Sequence, residues 1–320
     1  MDCVARAARL AFTLAPLTLA VFTMPAASAW AQAWVPPAGV GSVTVALQSI
    51  DYDGHRVTDG RFFEVGQSVH HRVDIDVDYA VTDRLSLSAG LPVVFAKYVD
   101  PNPLPPFVPF LPVDECRCWQ SGWQDVGFTT RYNLLNGAFA LTPSVSIGVP
   151  SHDYNFRGEA AVGNHLKEMR LALDAGQRLD AISPRLFVQG RYSHAFVERV
   201  LDIPNNRSNA TVEGGFLITR RLAARGLLSW QHVHGGLRLG SPDSALPPPG
   251  EVNTPERLSE HDRLLRDNNL RVGGGIAYSM RQMDVFASYV EFVRGTDSHA
   301  GREFTAGVSW PFEISRRQTP

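Results

Sequence analysis

From Val69 to Phe95 the chain alternates apolar and polar residues, with one break at a three-residue turn. Val69, His71, Val73, Ile75, Val77, Tyr79 and Val81 fall on one face of an extended strand, and His70, Arg72, Asp74, Asp76 and Asp78 on the other. After Thr82-Asp83-Arg84 the alternation resumes with Leu85, Leu87, Ala89, Leu91, Val93 and Phe95, separated by Ser86, Ser88 and Gly90. Strand side chains change face at every residue, so this is a hairpin with one apolar and one wet face. Three carboxylates and an arginine are more charge than a buried soluble core accepts. A barrel that spans a membrane resolves the conflict by turning the apolar face to lipid and the charges to a hydrated or ion-paired lumen. The expected fold class is all-β: an antiparallel transmembrane β-barrel of about 12 strands, with short periplasmic turns and long extracellular loops.

The spacing of the remaining period-2 segments agrees. Short connections are expected at Thr82 to Arg84, Asn136-Gly137, Asp180 to Pro184, Thr219 to Arg221 and Met280 to Met283. Asn-Gly is a tight-hairpin signal because both residues tolerate positive φ. Long connections are expected near 52–66, 97–123, 151–167, 198–208, 233–268 and 295–301. Sorting of loops by length is a property of outer-membrane barrels, not of sandwiches. Aromatic residues gather toward strand ends, as membrane interfaces favour. Tyr79, Tyr132, Phe139, Tyr278, Trp310 and Phe312 are expected at the periplasmic rim, and Phe95, Tyr192, Trp230 and Phe292 at the outer one.

At the N-terminus, Arg6 and Arg9 precede an apolar run from Leu10 to Phe22, followed by small residues that permit cleavage after Ala29, Ala31 or Ala33. This pattern is a secretory signal peptide, with an apolar core too short to span a bilayer as a helix. The chain divides into residues 1–33 as signal peptide, 34–313 as barrel and 314–320 as a C-terminal tail. The expected location is the bacterial outer membrane. Removing Arg6, Arg9 and Asp2 leaves 28 basic and 31 acidic residues, about −3, which argues against a nucleic-acid partner. The partners implied are outer-membrane lipids, the barrel-assembly machinery and a small-molecule solute.

The prospective lumen face carries both signs of charge. His70, Arg72, Asp74, Asp76, Asp78, Arg131, Arg170, Arg271 and Glu303 form a candidate polar track, with Arg191, Arg225, Asp174, Glu213 and Glu291 nearby. Such charges persist in a narrow lumen only when paired or hydrated. They therefore either stiffen the barrel as ion pairs or select a solute by its charges. His70 and Arg72 are the counter-charges available to the Asp74, Asp76 and Asp78 ladder on the same strand face.

Residues 97–123 hold six prolines between Pro101 and Pro112 among apolar residues, so they form a stiff connection rather than a strand. Phe107, Pro109 and Phe110 are candidates for a constriction of the pore. Cys116 and Cys118 read as a local disulfide staple; one Cys-x-Cys without further ligands is weak evidence for a metal site. Thr254 and Pro255 start a short helix running toward Leu265, expected to decorate the surface. Ser193-His194, and Ser229 with His232 and His234, supply residue types of lipid-hydrolysing barrels, but adjacent strand residues point to opposite faces. No nucleophile elbow, metalloprotease helix or phosphate loop occurs, and the reading is of a non-enzyme without cofactor or metal.

The stretch Asp78-Tyr79-Ala80-Val81-Thr82-Asp83-Arg84-Leu85, continuing through Ser86 to Pro92, resembles the outer-membrane proteins of the meta-pathway phenol-degradation family. So do Asp125-Val126-Gly127, Arg131-Tyr132-Asn133-Leu134-Leu135, the run from Pro143 to Pro150, and Leu171 to Gly176. The resemblance covers most of the mature chain and implies an outer-membrane channel for passive uptake of a small solute, aromatic or apolar in some members. It transfers no binding residues. The ending departs from the usual barrel terminus, because Phe312 is followed by Glu313 to Pro320. Two other classes compete: a plugged structural or adhesive barrel without transport, and a soluble exported lipid-binding β-protein with the facing reversed.

Overall fold

The computed structural model describes residues 33–100, 111–239 and 255–314. Residues 1–32, which carry most of the expected signal peptide, and Phe107, Pro109, Phe110, Thr254 and residues 315–320 lie outside the described residues. Twelve long strands make one sheet: β1 Val40–Arg56, β2 Ser68–Ala80, β3 Leu85–Tyr98, β4 Val126–Tyr132, β5 Phe139–Val149, β6 Glu168–Arg178, β7 Leu186–Val197, β8 Asn205–Leu217, β9 Leu222–Gly235, β10 Asn268–Ser279, β11 Asp284–Thr296 and β12 Ser298–Glu313. Each pairs antiparallel with its sequence neighbours, and β12 pairs with β1 from Glu313↔Val40 to Ser298↔Arg56, which closes the barrel. Closure removes both sheet edges, so every strand's backbone finds a partner without water. Among the described residues no helix is long and apolar enough to cross a membrane.

The facing follows the alternation. Val77 is 41% exposed on the outer wall and Val145 is 45% exposed, while Asp76, Ser88 and Ser146 turn inward. On the less regular strands, Val188, Tyr192 and Phe196 of β7 and Leu228 and Trp230 of β9 are the outward residues. Two of the tight turns share one device. The Thr82 hydroxyl accepts from the N–H groups of Arg84 and Leu85 at 3.2 and 2.9 Å, and Thr219 does the same for Arg221 and Leu222 at 3.1 and 3.0 Å. A short hydroxyl side chain thus replaces a backbone turn bond.

Several expectations are corrected at the outer end. The connections near 52–66, 198–208 and 295–301 are shorter than their polar composition suggests. β1 runs on to Arg56, only residues 198–204 join β7 to β8, and Asp297 alone joins β11 to β12. Polar residues there continue the ladder because the barrel rises past the apolar belt. Phe292 is not an outer girdle residue: it is 6% exposed, inside the barrel, with the Arg271 guanidinium 4.2 Å from its ring. Plain alternation carries it there: the even positions of β11, Asp284 and Val290 among them, face inward and Tyr289 outward, and the pairing irregularity falls only beyond Phe292, at Val293. By the same alternation Glu291 faces outward, in register with the exposed Arg302.

The segment expected to be a surface helix is broken into α2 Pro255–Ser259 and α3 His261–Leu264, and it is not surface decoration. His261, Arg263 and Leu264 are buried. A third short helix, α1 Pro112–Glu115, precedes Cys116 and Cys118, which are joined in a disulfide.

Candidate functional site

The outer half of the lumen is filled by the protein's own loops. On β3, Val94, Ala96 and Tyr98 face inward, opposite the exposed Phe95, and are buried against Tyr154, Ala160 and Val162 of the β5–β6 loop. The loop therefore folds into the barrel. The Tyr154 hydroxyl donates to Asp125 at 2.5 Å and accepts from the His165 N–H at 2.8 Å. Burial raises the Tyr154 phenol, so it remains a donor. Asp114 of α1 accepts from the N–H groups of Glu159 and Ala160 at 3.1 and 2.9 Å, fixing the loop tip from a third side. Burial pushes the Asp114 carboxyl up to about 7, against those two bonds.

α3 locks the loop in place. Arg157 and Arg263 both pair with Glu260, and Arg263 lies 3.9 Å from the ring centroid of Phe156. Leu264 packs with Leu166 and Leu237, flanked by Val197, Val200 and Ile203. At the centre, the Glu159 carboxylate meets three imidazoles: His55 at 3.2 Å, His299 at 3.3 Å and His261 at 3.4 Å. Asp262 contacts His261 at 3.0 Å and His299 at 3.8 Å. Burial alone would raise the Glu159 carboxyl, but the surrounding imidazoles hold it well below the usual range. Burial likewise would depress His261, and Asp262 with Glu159 instead holds it well above.

Below this plug lies a chamber of about 710 Å³, lined by Arg72, Asp76, Glu168, Arg170, Asp174 and Arg191 among others. All nine residues of the candidate track face into the lumen, but they do not form one continuous line. Arg72 pairs with Asp74 at 2.6 Å and Arg170 with Glu168 at 2.8 Å. Glu168 also takes Arg207, Asp174 takes Arg191 at 3.5 Å, and Glu213 takes Arg225 at 3.5 Å. Asp78 accepts from Ser88, and Asp76 has no ion-pair partner among the described residues. His70 does not serve the carboxylate ladder: its ring nitrogen meets the Glu159 carbonyl at 2.8 Å, in the plug. Glu303 accepts from Gln48 at 2.8 Å and stands 4.0 Å from Arg271.

At the periplasmic end the chain before β1 turns into the mouth. The Ala33 carbonyl accepts from Thr142 and Asn133 at 2.6 and 3.2 Å, and the Trp34 carbonyl from Arg131 at 3.4 Å. Without side chain bulk at Gly176 the Trp34 ring packs there; a Cβ would stand 2.5 Å from it.

Ser193 and His194 lie on opposite faces of β7, as adjacent strand residues must. Ser193 is inward and buried, whereas His194 and His234 bracket Ser208 on the outer wall at 3.0 and 2.8 Å. Ser208 is 3% exposed, and no carboxylate bonds either ring among the described residues. This network lacks the orienting acid and open approach of a hydrolytic serine. Glu159, Asp262, His55 and His299 were not found from the sequence. Their signal was the apolar inner face of Val94, Ala96 and Tyr98, which no open lumen requires.

No family model matches the chain, and no curated protein matches it. Among solved structures, the COG4313 outer membrane channel from Pseudomonas putida F1 aligns with a TM-score of 0.64 at 13% identity, over 88% of this chain and 98% of that chain. The β domain of the Bordetella autotransporter BrkA aligns at 0.49 with 13% identity, over 85% of this chain and 100% of that chain. The toluene transporter TodX of Pseudomonas putida aligns at 0.43 with 10% identity, over 88% and 91%. The first likeness establishes the fold, which is that of the outer-membrane β-barrels.

Proposed function

We propose that the chain is an outer-membrane channel for passive uptake of a small solute, related to the meta-pathway phenol-degradation proteins that its hairpin strings resemble. The observation that carries this reading is the chamber of about 710 Å³ at mid-barrel, lined by Arg72, Asp76, Arg170 and Arg191. A charged, unfilled chamber is what a route for a solute needs, since ion pairs alone could fill a purely structural lumen. The plug above it is held by a buried apolar cluster that includes Tyr98, Tyr154 and Val162. The charged lining, with the resemblance of the hairpin strings, supports a small aromatic or largely apolar molecule with one polar or charged substituent as the solute. The lipid-facing wall, export by a cleaved signal peptide and insertion by the barrel-assembly machinery complete the reading.

A second reading, a plugged structural barrel, is favoured by the closures at the two ends, the Glu159 cluster outside and Ala33-Trp34 at the periplasmic mouth. Proteoliposomes separate them. The folded barrel is expected to admit benzoate and phenol faster than protein-free vesicles do, and Asp76→Asn to change the benzoate rate more than the phenol rate. Impermeability to both, with the barrel folded, supports the structural reading.

A further inference from the structure

We propose that His55, Glu159, Asp262 and His299 form a zinc site that ties the outer plug to the barrel wall. Their four candidate donor atoms lie within 4.8 Å of one another. His55 stands 3.2 Å from one Glu159 oxygen, and His299 stands 3.3 Å from the other and 3.8 Å from Asp262, close to or slightly beyond the edge of a tetrahedral zinc site, about 3.3 Å for bonds near 2.0 Å. The four come from four places in the chain: β1, the β5–β6 loop, α3 and β12.

The wall histidines are placed by a β-bulge. In β1 the even positions face the lumen as far as Tyr52, and by simple alternation His55 would face lipid. The pairing with β12 slips between Tyr52↔Gly301 and Gly54↔Ala300, leaving Asp53 extra, so His55 turns inward beside His299. A bulge of this kind re-aims a side chain at the rim of a barrel. The two rings then lie with centroids 4.7 Å apart.

The tautomer of His55 is the second observation. Its Nδ1 stands 2.7 Å from the Val65 carbonyl, which only accepts, so Nδ1 carries a proton. With Nδ1 held by that carbonyl, Nε2 is the ring atom turned to the cluster, 3.2 Å from the Glu159 carboxylate. A carbonyl on the far nitrogen is also the usual outer support of a metal-bound histidine. His55 Nε2 and the Asp262 oxygens are buried, and their near neighbours are members of this same cluster, Glu159 at 3.2 Å from His55 and His261 at 3.0 Å from Asp262.

The donor set selects the ion. Two imidazoles and two carboxylates suit zinc, whereas calcium and magnesium take oxygen ligands and copper(I) prefers sulfur. All four positions come from the protein, so the site is structural: it fixes the loop that fills the outer lumen. His261, against Glu159 and Asp262, is an outer partner that orients them.

The full-length folded barrel, stripped with chelator, is titrated with zinc chloride by calorimetry, and its metal content is measured after desalting. About one zinc per barrel is expected, with no comparable binding of calcium. His299→Ala and Glu159→Gln are expected to weaken binding by about 100-fold or more, beyond the 10–100-fold typical of an outer-shell change. The double variant His232→Ala/His234→Ala, on the outer wall, is expected to bind as the wild type does. Heat-modifiable gel migration reports folding of each variant. A folded wild-type barrel that takes up no stoichiometric zinc overturns the proposal, whatever the variants do. So does zinc that survives His299→Ala and Glu159→Gln, or zinc that is lost with the outer-wall histidines.

Discussion

A side chain at position 54 would place its Cβ 2.1 Å from the Phe63 carbonyl oxygen, on a backbone with φ of +153° that L-residues avoid. Gly54 therefore permits the bulge that turns His55 into the lumen. Gly54→Val is expected to cost about 1–3 kcal/mol of local strain and to expose the β5–β6 loop to protease. Limited proteolysis checks this; a variant as resistant as wild type would show that the bulge does not hold the plug. At the other end, the buried Ala33 carbonyl is held by Thr142 and Asn133. Cleavage after Ala29 or Ala31 keeps that anchor, whereas cleavage after Ala33 removes it. Mass spectrometry of the mature chain is expected to give Trp30 or Gln32 as first residue, and Trp34 would contradict the anchored mouth.

Strands obey the period-2 rule wherever one side meets lipid, and this was legible directly. Val77→Arg or Val145→Arg, on the outer wall, is expected to hinder insertion by about 2–4 kcal/mol if the position lies near the bilayer midplane. Ser88→Arg or Ser146→Arg, on the inner wall, is expected to be tolerated better; the opposite ranking in a refolding assay would reverse the facing. What the sequence concealed lies above the belt. There alternation no longer marks lipid against water, so His55 could not be placed without the bulge near Tyr52, and Phe292 was assigned to the wrong face of β11 because its apolar ring sits inside the barrel. Residues 255–264 showed helix-start chemistry but not their destination, because the lumen that receives them is built by distant strands. In the plug, Tyr98→Ala removes the inner-wall ring against which the β5–β6 loop packs. Large buried aromatics lost to alanine cost about 3–5 kcal/mol in cores, and here the loss is expected as loosened loop protection rather than barrel unfolding. Hydrogen exchange of residues 150–167 measures it.

The whole molecule is a closed wall with a charged chamber at its middle and the chain's own segments at both mouths. Closure by β12 on β1 fixes the wall, and the sequence stated it through strand count and loop sorting alone. The lumen's width was not legible, because loop folding inside a barrel depends on contacts between residues far apart, such as Glu159 with His299 and Asp262 with His261. The charge expected to run as one track is instead distributed into local pairs, with Asp76 left facing the chamber. Single-channel recording in planar bilayers tests the central claim most directly. The folded full-length barrel is expected to give small stable current steps, and a variant lacking residues 153–164 of the plug to give larger ones. Silence from both folded proteins would contradict a channel and leave a sealed structural barrel.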